Sequence, residues 1–206
     1  MSIFETYLQI GFHHILDWEA YDHMLFLLAL CAVYQLKQWR NILVLVTAFT
    51  IGHSISLALA TTEVIDMNTQ FQIGETTFAL IQVVEFLIPL SILTTALLNV
   101  FRTNLEISPK AMRIQYLIAL FFGLIHGMGF SSLLRSMLMG EESIFYPLLA
   151  FNVGIELGQL AIVAGIVLLS FIVVNLLRAP QREWNLFISG AAAGVSWLLL
   201  RGAIFW

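Results

Sequence analysis

Six strongly polar side chains lie within the long apolar stretches of this 206-residue chain, where such groups are costly and usually mark function. They are His23, His53, Glu85, His126, Asn152 and Glu156. Imidazole nitrogens combined with carboxylates suit a divalent transition metal such as Ni²⁺, Co²⁺ or Zn²⁺. Because the chain has a single cysteine, any metal ligands must come from His, Asp, Glu or Asn. The residue types therefore predict a His/carboxylate site for a transition metal.

Apolar helices are predicted to position these residues. Hydrophobic residues make up 60% of the chain and charged residues 11%, against about 45–50% and 25% in soluble proteins. We therefore predict an all-α integral membrane protein that forms one bundle domain over residues 1–206, because an open strand edge cannot be satisfied in lipid. Six transmembrane helices are predicted, roughly over residues 19–36, 41–62, 76–101, 114–138, 144–177 and 184–201. A short interfacial or re-entrant helix over residues 2–16 precedes them, and residues 41–101 and 114–177 are predicted to form an internal repeat.

The charges of the connecting segments predict the orientation. Basic residues lie in the first, third and fifth connections and include Lys37, Arg40, Arg102, Arg113, Arg178 and Arg182. Because positive loops stay cytoplasmic, both termini are predicted to face outward. We expect a multi-pass protein of the inner (cytoplasmic) membrane that contacts lipid. The sequence does not determine whether it forms a homo-oligomer. The net charge of −4 and the lack of a basic run argue against nucleic acid as a partner.

The expected depths of the polar residues agree with one another. At the helical rise per residue, His53 and His126 each lie about 18 Å from the cytoplasmic end of their helices. Glu85 and Glu156 lie about 13–17 Å below the outer end of theirs. The other residues expected in or near this outer layer, some as orienting groups, are Asp22, His23, Ser54, Asn152 and Gln159. Glycines such as Gly52 are expected to let the helices approach closely.

Five stretches carry a family resemblance. They are GFHHIL at 11–16, YDHMLFL at 21–27, TAFTIGHS at 47–54, FGLIHGMGF at 122–130 and FNVGIELGQ at 151–159. In this order they resemble the HupE/UreJ membrane proteins, and the chain looks like their more divergent second branch. The resemblance implies nickel or cobalt uptake that serves hydrogenase or urease maturation. The metal-ligand or permeation residues that it implies are His14, Asp22, His23, His53, His126 and Glu156.

A transition-metal permease is the favoured function, and a transporter fits the sequence better than an enzyme. In this hypothesis an acidic outer vestibule attracts cations to the His/carboxylate site. The vestibule residues are Glu63, Asp66, Glu141 and Glu142. The cytoplasmic half has few ionisable groups, so the sequence predicts no exit path.

Two other functions stay open. One is an intramembrane zinc-dependent hydrolase, in which Glu85, Asp22 or Glu156 acts as general base. Ser54 or Ser131 would hold an oxyanion, in an arrangement similar to the ceramidase-like membrane hydrolases. The other is a non-catalytic sensor or assembly subunit, whose polar layer only holds the helices together by hydrogen bonds.

Overall fold

A computed structural model describes residues 2–17, 21–73, 76–102, 109–138 and 143–204. Its helices are α1 (Ile3–Leu16), α2 (Tyr21–Cys31), α3 (Trp39–Thr61), α4 (Leu80–Phe101), α5 (Pro109–Gly129), α6 (Ser131–Leu138), α7 (Phe145–Phe171) and α8 (Gln181–Gly202). A 3-10 turn at Leu36–Gln38 leads into α3, and a π-helical segment at Ile172–Leu176 extends α7. The architecture is all-α, as predicted.

A short antiparallel hairpin between α3 and α4 departs from the prediction. Its strands are β1 (Gln70–Ile73) and β2 (Thr76–Ala79), which pair Phe71 with Phe78. Because β2 leads directly into α4, helix α4 begins four residues later than the predicted third span. The predicted vestibule residues Glu141 and Glu142 lie outside the described residues.

Four helices in the described part of the chain are long and apolar enough to cross a membrane. They are Leu36–Thr61, Leu80–Phe101, Met112–Gly129 and Phe145–Leu176. These correspond to the second to fifth predicted spans. The first predicted span contains only the 11-residue helix α2, which is too short to cross a bilayer alone. The sixth corresponds to α8, whose 22 residues include the buried polar side chains Asn185, Ser189 and Ser196.

Helices α1 and α2 pack against successive stretches of α7. Helix α1 begins with a capping box in which Ser2 Oγ accepts from Glu5 N at 3.2 Å and Glu5 Oε2 accepts from Ser2 N at 2.9 Å. The face of α1 that carries Ile15 packs on the first half of α7, and Phe26 of α2 belongs to a core cluster with the later part of α7. The two short helices, which end at Leu16 and begin at Tyr21, therefore follow α7 in the same direction.

Glycines set the closest helix crossings, as predicted. A Cβ at Gly52 would overlap the backbone of α5, and a Cβ at Gly123 would overlap the backbone of α3. Gly154 and Gly158 of α7 lie in the same way against the backbone of α1. Backbone contact at these crossings brings the polar side chains of α1, α3 and α5 within reach of one another.

Candidate metal centre

Five side chains from four helices converge on one buried site. The site residues are His14 of α1, Asp22 and His23 of α2, His53 of α3 and His126 of α5. They form two groups that share His23. One contains His14, His23 and His53, and the other contains Asp22, His23 and His126. Within each group the potential ligand atoms lie within 4.8 Å of one another.

The orientation of His23 leaves one ring nitrogen free for a ligand. His23 Nδ1 lies 3.0 Å from Asp22 Oδ1. Because an ionised carboxylate only accepts hydrogen bonds, Nδ1 must donate the proton. The lone pair of a neutral His23 is then on Nε2, which is buried and has no partner. A carboxylate behind an imidazole is the arrangement that orients metal-binding histidines in proteins.

A serine of α4 fixes His126 in the same way. Ser91 Oγ donates its one proton to the carbonyl of Ile88 at 2.7 Å, and it lies 3.2 Å from His126 Nε2. The hydroxyl oxygen therefore accepts a hydrogen bond from Nε2–H, which places the lone pair of a neutral His126 on Nδ1. This nitrogen is also buried without a partner.

The unpaired nitrogens argue against a purely structural role. Five imidazole nitrogens of the site are buried and unpartnered among the described residues: His14 Nε2, His23 Nε2, both nitrogens of His53, and His126 Nδ1. A buried polar group without a hydrogen bond costs about 1–3 kcal/mol. Helix–helix hydrogen bonding would need these groups to satisfy one another, whereas a transition metal would take up the one lone pair of each neutral imidazole.

Aromatic rings enclose the imidazoles. The His14 ring lies 3.9 Å from that of Phe130, measured between centroids. On the other side, the Phe49 ring lies 5.2 Å from that of His126. His53 has no exposed surface. Low water access strengthens the interaction between an ion and these ligands.

A cavity of about 520 Å³ adjoins the site, and we call it the large cavity. Four site residues line it, namely His14, Asp22, His23 and His126. Glu85 and Pro89 of α4 also line it. Pro89 has no N–H to donate to the carbonyl of Glu85 one turn earlier, so the chain provides both a carboxylate and a freed carbonyl at this position. The rest of the wall is largely apolar and includes Ile88, Phe130, Leu198 and Leu199.

Glu156 and its neighbours form a separate polar contact between α3 and α7. Thr47 Oγ1 donates to Glu156 Oε1 at 2.8 Å, and Thr50 Oγ1 donates to Gln159 Oε1 at 2.6 Å. Neither Glu156 nor Gln159 belongs to the two clustered groups found among the described residues.

The remaining candidates are Asn152, Ser54 and Glu85. Asn152 donates to the carbonyl of Leu148 in its own helix at 2.9 Å, and its Oδ1 is buried without a partner. Ser54 is half-buried next to His53. Glu85 is exposed at the large cavity.

Sequence reasoning missed Ser91 and Pro89. Ser91 lies six residues after Glu85 on α4, and a serine in an apolar run gives no signal of its own because it commonly bonds back to its helix. Pro89 was the stronger signal, since proline inside a helix frees a carbonyl one turn earlier.

Comparison with known families identifies the family of this chain. A family model described as HupE / UreJ protein matches residues 1–201. The chain belongs to the HupE/UreJ family. The resemblance inferred from the sequence motifs is thereby confirmed, and the protein is a multi-pass membrane protein. HupE/UreJ proteins are associated with nickel or cobalt transport, and the His and Asp groups of this chain could hold such an ion. No curated protein and no solved structure showed a significant match.

Proposed function

We propose that this HupE/UreJ protein is a permease for a divalent transition metal of the nickel, cobalt and zinc class. The five site residues bind the ion in the outer half of the bilayer. The observation that carries the proposal is the set of unpartnered imidazole nitrogens around His23. Two of these imidazoles are held by Asp22 and Ser91 in the tautomer that offers a lone pair to an ion.

The proposed topology has six crossings and outward-facing termini in the inner (cytoplasmic) membrane. Helices α1 and α2 together form the first crossing, which is interrupted at the metal site. This is supported by their packing along α7 in one direction. Interrupted helices at membrane depth commonly mark ion and substrate sites in transporters. The oligomeric state stays open.

The large cavity is the outer approach to the site. Glu85 contributes a carboxylate to its wall, which attracts cations. Conduction also requires that the ion leave, so the site must be weak or must switch. Glu156 accepts a hydrogen bond from Thr47 and is in neither clustered group of the described residues, so we assign it to the α3–α7 contact or to the pathway.

Metal uptake into proteoliposomes tests the proposal. The purified protein is reconstituted and uptake of Ni²⁺, Co²⁺ and Zn²⁺ is followed with an enclosed fluorescent indicator. We expect the double variant His53→Ala with His126→Ala to lose uptake, because two ligands are removed. His13→Ala is the matched control, because His13 is exposed and adjoins a site residue without belonging to the site. Equal uptake by the double variant and the control would exclude the proposed site.

A zinc-dependent hydrolase is the second candidate, and the size of the large cavity favours it. A volume of about 520 Å³ falls within the range of about 300–1,000 Å³ typical of small-molecule sites, and the wall is largely apolar. In this alternative a bound zinc activates water and Glu85 or Asp22 acts as base. Zinc-dependent cleavage of a fluorogenic acyl amide by the reconstituted protein, lost in the double variant, would support it.

A further inference from the structure

Aromatic rings close the site on the side away from the large cavity. Phe26 and Phe49 stack with their ring centroids 4.7 Å apart, and Phe122 meets Phe26 edge-on at 5.9 Å. The Phe26 ring lies 5.4 Å from the His126 ring. Phe26 and Phe49 are each 1% exposed. We call these three side chains the aromatic layer.

A second cavity lies on the other side of this layer. It has a volume of about 100 Å³, and we call it the small cavity. Phe26 and Phe122 line it, so the rings that adjoin the metal site also form a wall of the small cavity. Two further lining residues are Tyr34, which follows the end of α2, and Gln115, which lies near the start of α5. The small cavity therefore lies toward the end of the bundle at which α2 ends and α5 begins.

One turn of α4 connects the two levels. Ser91 contacts His126 in the metal site, and Thr95 lines the small cavity four residues later. Thr95 Oγ1 donates to the Ser91 carbonyl at 2.9 Å. Four residues of α-helix rise about 6 Å. The level of the metal site and the level of the small cavity are thus about 6 Å apart along α4.

Polar groups of the small cavity suit a cation in transit. The Tyr34 hydroxyl donates to Gln115 Oε1 at 2.6 Å and keeps its own oxygen available as an acceptor. Thr95 and Asn99 add further polar groups to the wall. Arg102 also lines the cavity, and its positive charge disfavours long residence of a cation there. The small cavity therefore has the character of a release chamber, since conduction requires a weak final site.

We infer that the aromatic layer, with Phe26 at its centre, is the inner gate of the metal pathway and that the small cavity is the release chamber behind it. The inference rests on the proposed function, because it takes the large cavity as the outer side. It also provides the exit path that the sequence does not predict. Rotation of the Phe26 side chain would join the two cavities, whereas the stacked arrangement keeps them apart.

Thiol accessibility tests the gate without relying on metal transport. The native cysteine is removed with Cys31→Ala, and Thr95→Cys places a reporter thiol in the small cavity. Sealed vesicles with the large cavity facing outward are treated with external Ag⁺, and the thiol left unreacted is alkylated after denaturation and measured by mass spectrometry. We expect slow reaction with the layer intact and a rate at least about tenfold higher with Phe26→Ala.

The matched control is Phe121→Ala, which removes an equal ring from the neighbouring position of α5. Phe121 is 58% exposed on the bundle surface, so its loss should leave the reaction rate unchanged. If Phe26→Ala does not fold, as judged by size-exclusion chromatography, Phe26→Leu replaces it, with a smaller increase expected. A rate for the Phe26 variant equal to that of the Phe121 control would overturn the gate.

Metal uptake by the same vesicles separates the two ideas. If unmodified protein takes up no metal but Phe26→Ala still exposes the reporter thiol, the permease proposal fails, and with it the assignment as a gate for metal, although the aromatic layer is still the barrier between the two cavities. If unmodified protein takes up metal and the reporter rate does not respond to Phe26→Ala, the gate fails and the permease proposal stands. Equilibrium binding of Ni²⁺ to Phe26→Ala should stay close to that of unmodified protein, because the layer supplies no ligand.

Discussion

Replacing His53 by leucine should stabilise the metal-free protein and abolish metal binding. Both ring nitrogens of His53 are buried without a partner, and the side chain has no exposed surface. Each such nitrogen costs about 1–3 kcal/mol. Loss of ring contacts with neighbours such as His23 and Phe49 offsets about 0.5–1.5 kcal/mol of the gain. We expect a net increase of about 0.5–5.5 kcal/mol in the free energy of unfolding of the metal-free protein.

Thermal unfolding in detergent measures this effect. In excess chelator the unfolding midpoint of His53→Leu should rise by roughly 2–4 °C for each kcal/mol. With Ni²⁺ or Zn²⁺ at 100 times the dissociation constant, the unmodified protein should gain about 2.7 kcal/mol while the variant gains nothing. The difference between the unfolding midpoints of the two proteins should therefore be smaller in metal than in chelator, or should change sign.

The control for this experiment is His13→Leu, since His13 is exposed and should show neither effect. The reasoning would be refuted if the free energy of unfolding of the metal-free His53→Leu protein were about 1 kcal/mol or more below that of unmodified protein. It would mean that the His53 nitrogens have partners in the folded protein and that histidine is kept there for stability.

Three further predictions address the surroundings of the site. Asp22→Asn should weaken metal binding about 10–100-fold in an equilibrium titration, because the neutral amide orients His23 less strongly than a carboxylate does. Gly123→Ala should lower thermal stability by about 1–3 kcal/mol through overlap with the α3 backbone, whereas Gly194→Ala, which meets nothing within 4 Å, should be neutral or stabilising. Glu156→Gln should change metal affinity by less than about tenfold, and a larger loss would place that carboxylate among the ligands.

Composition and motifs determined the class of protein and most of the site. An apolar fraction of 60% requires lipid as solvent, and polar residues inside such runs must face the protein interior. This reasoning selected His23, His53 and His126, and the family motif added His14 and Asp22, which the structure brings together. The four most apolar spans were also predictable, because length and hydropathy are local properties.

The contacts of Glu156 and of helix α1 depend on how the helices pack. The depth of a residue along its own helix does not determine that packing. The depth of Glu156 stays a prediction, whereas its hydrogen bond with Thr47 of α3 was not predicted, because depth along one helix does not determine which face of a neighbouring helix a side chain meets. The sequence predicts an interfacial or re-entrant helix over residues 2–16 but not the packing of α1 along α7, because a short apolar helix looks the same in sequence whether it lies on the bilayer or packs along another helix.

By itself, therefore, the sequence determined that the chain lies in a membrane, that it belongs among metal-associated families, and which imidazoles are candidates for ligands. Only the tertiary structure decided that Asp22 and Ser91 contact two of those imidazoles, that Glu156 bonds to Thr47, and that Phe26 and Phe122 line a second cavity. The physical reason is that hydropathy and periodicity are properties of one continuous segment and can be read from its residues alone. Hydrogen bonds, ring contacts and cavities arise between helices whose residues are tens of positions apart in the chain.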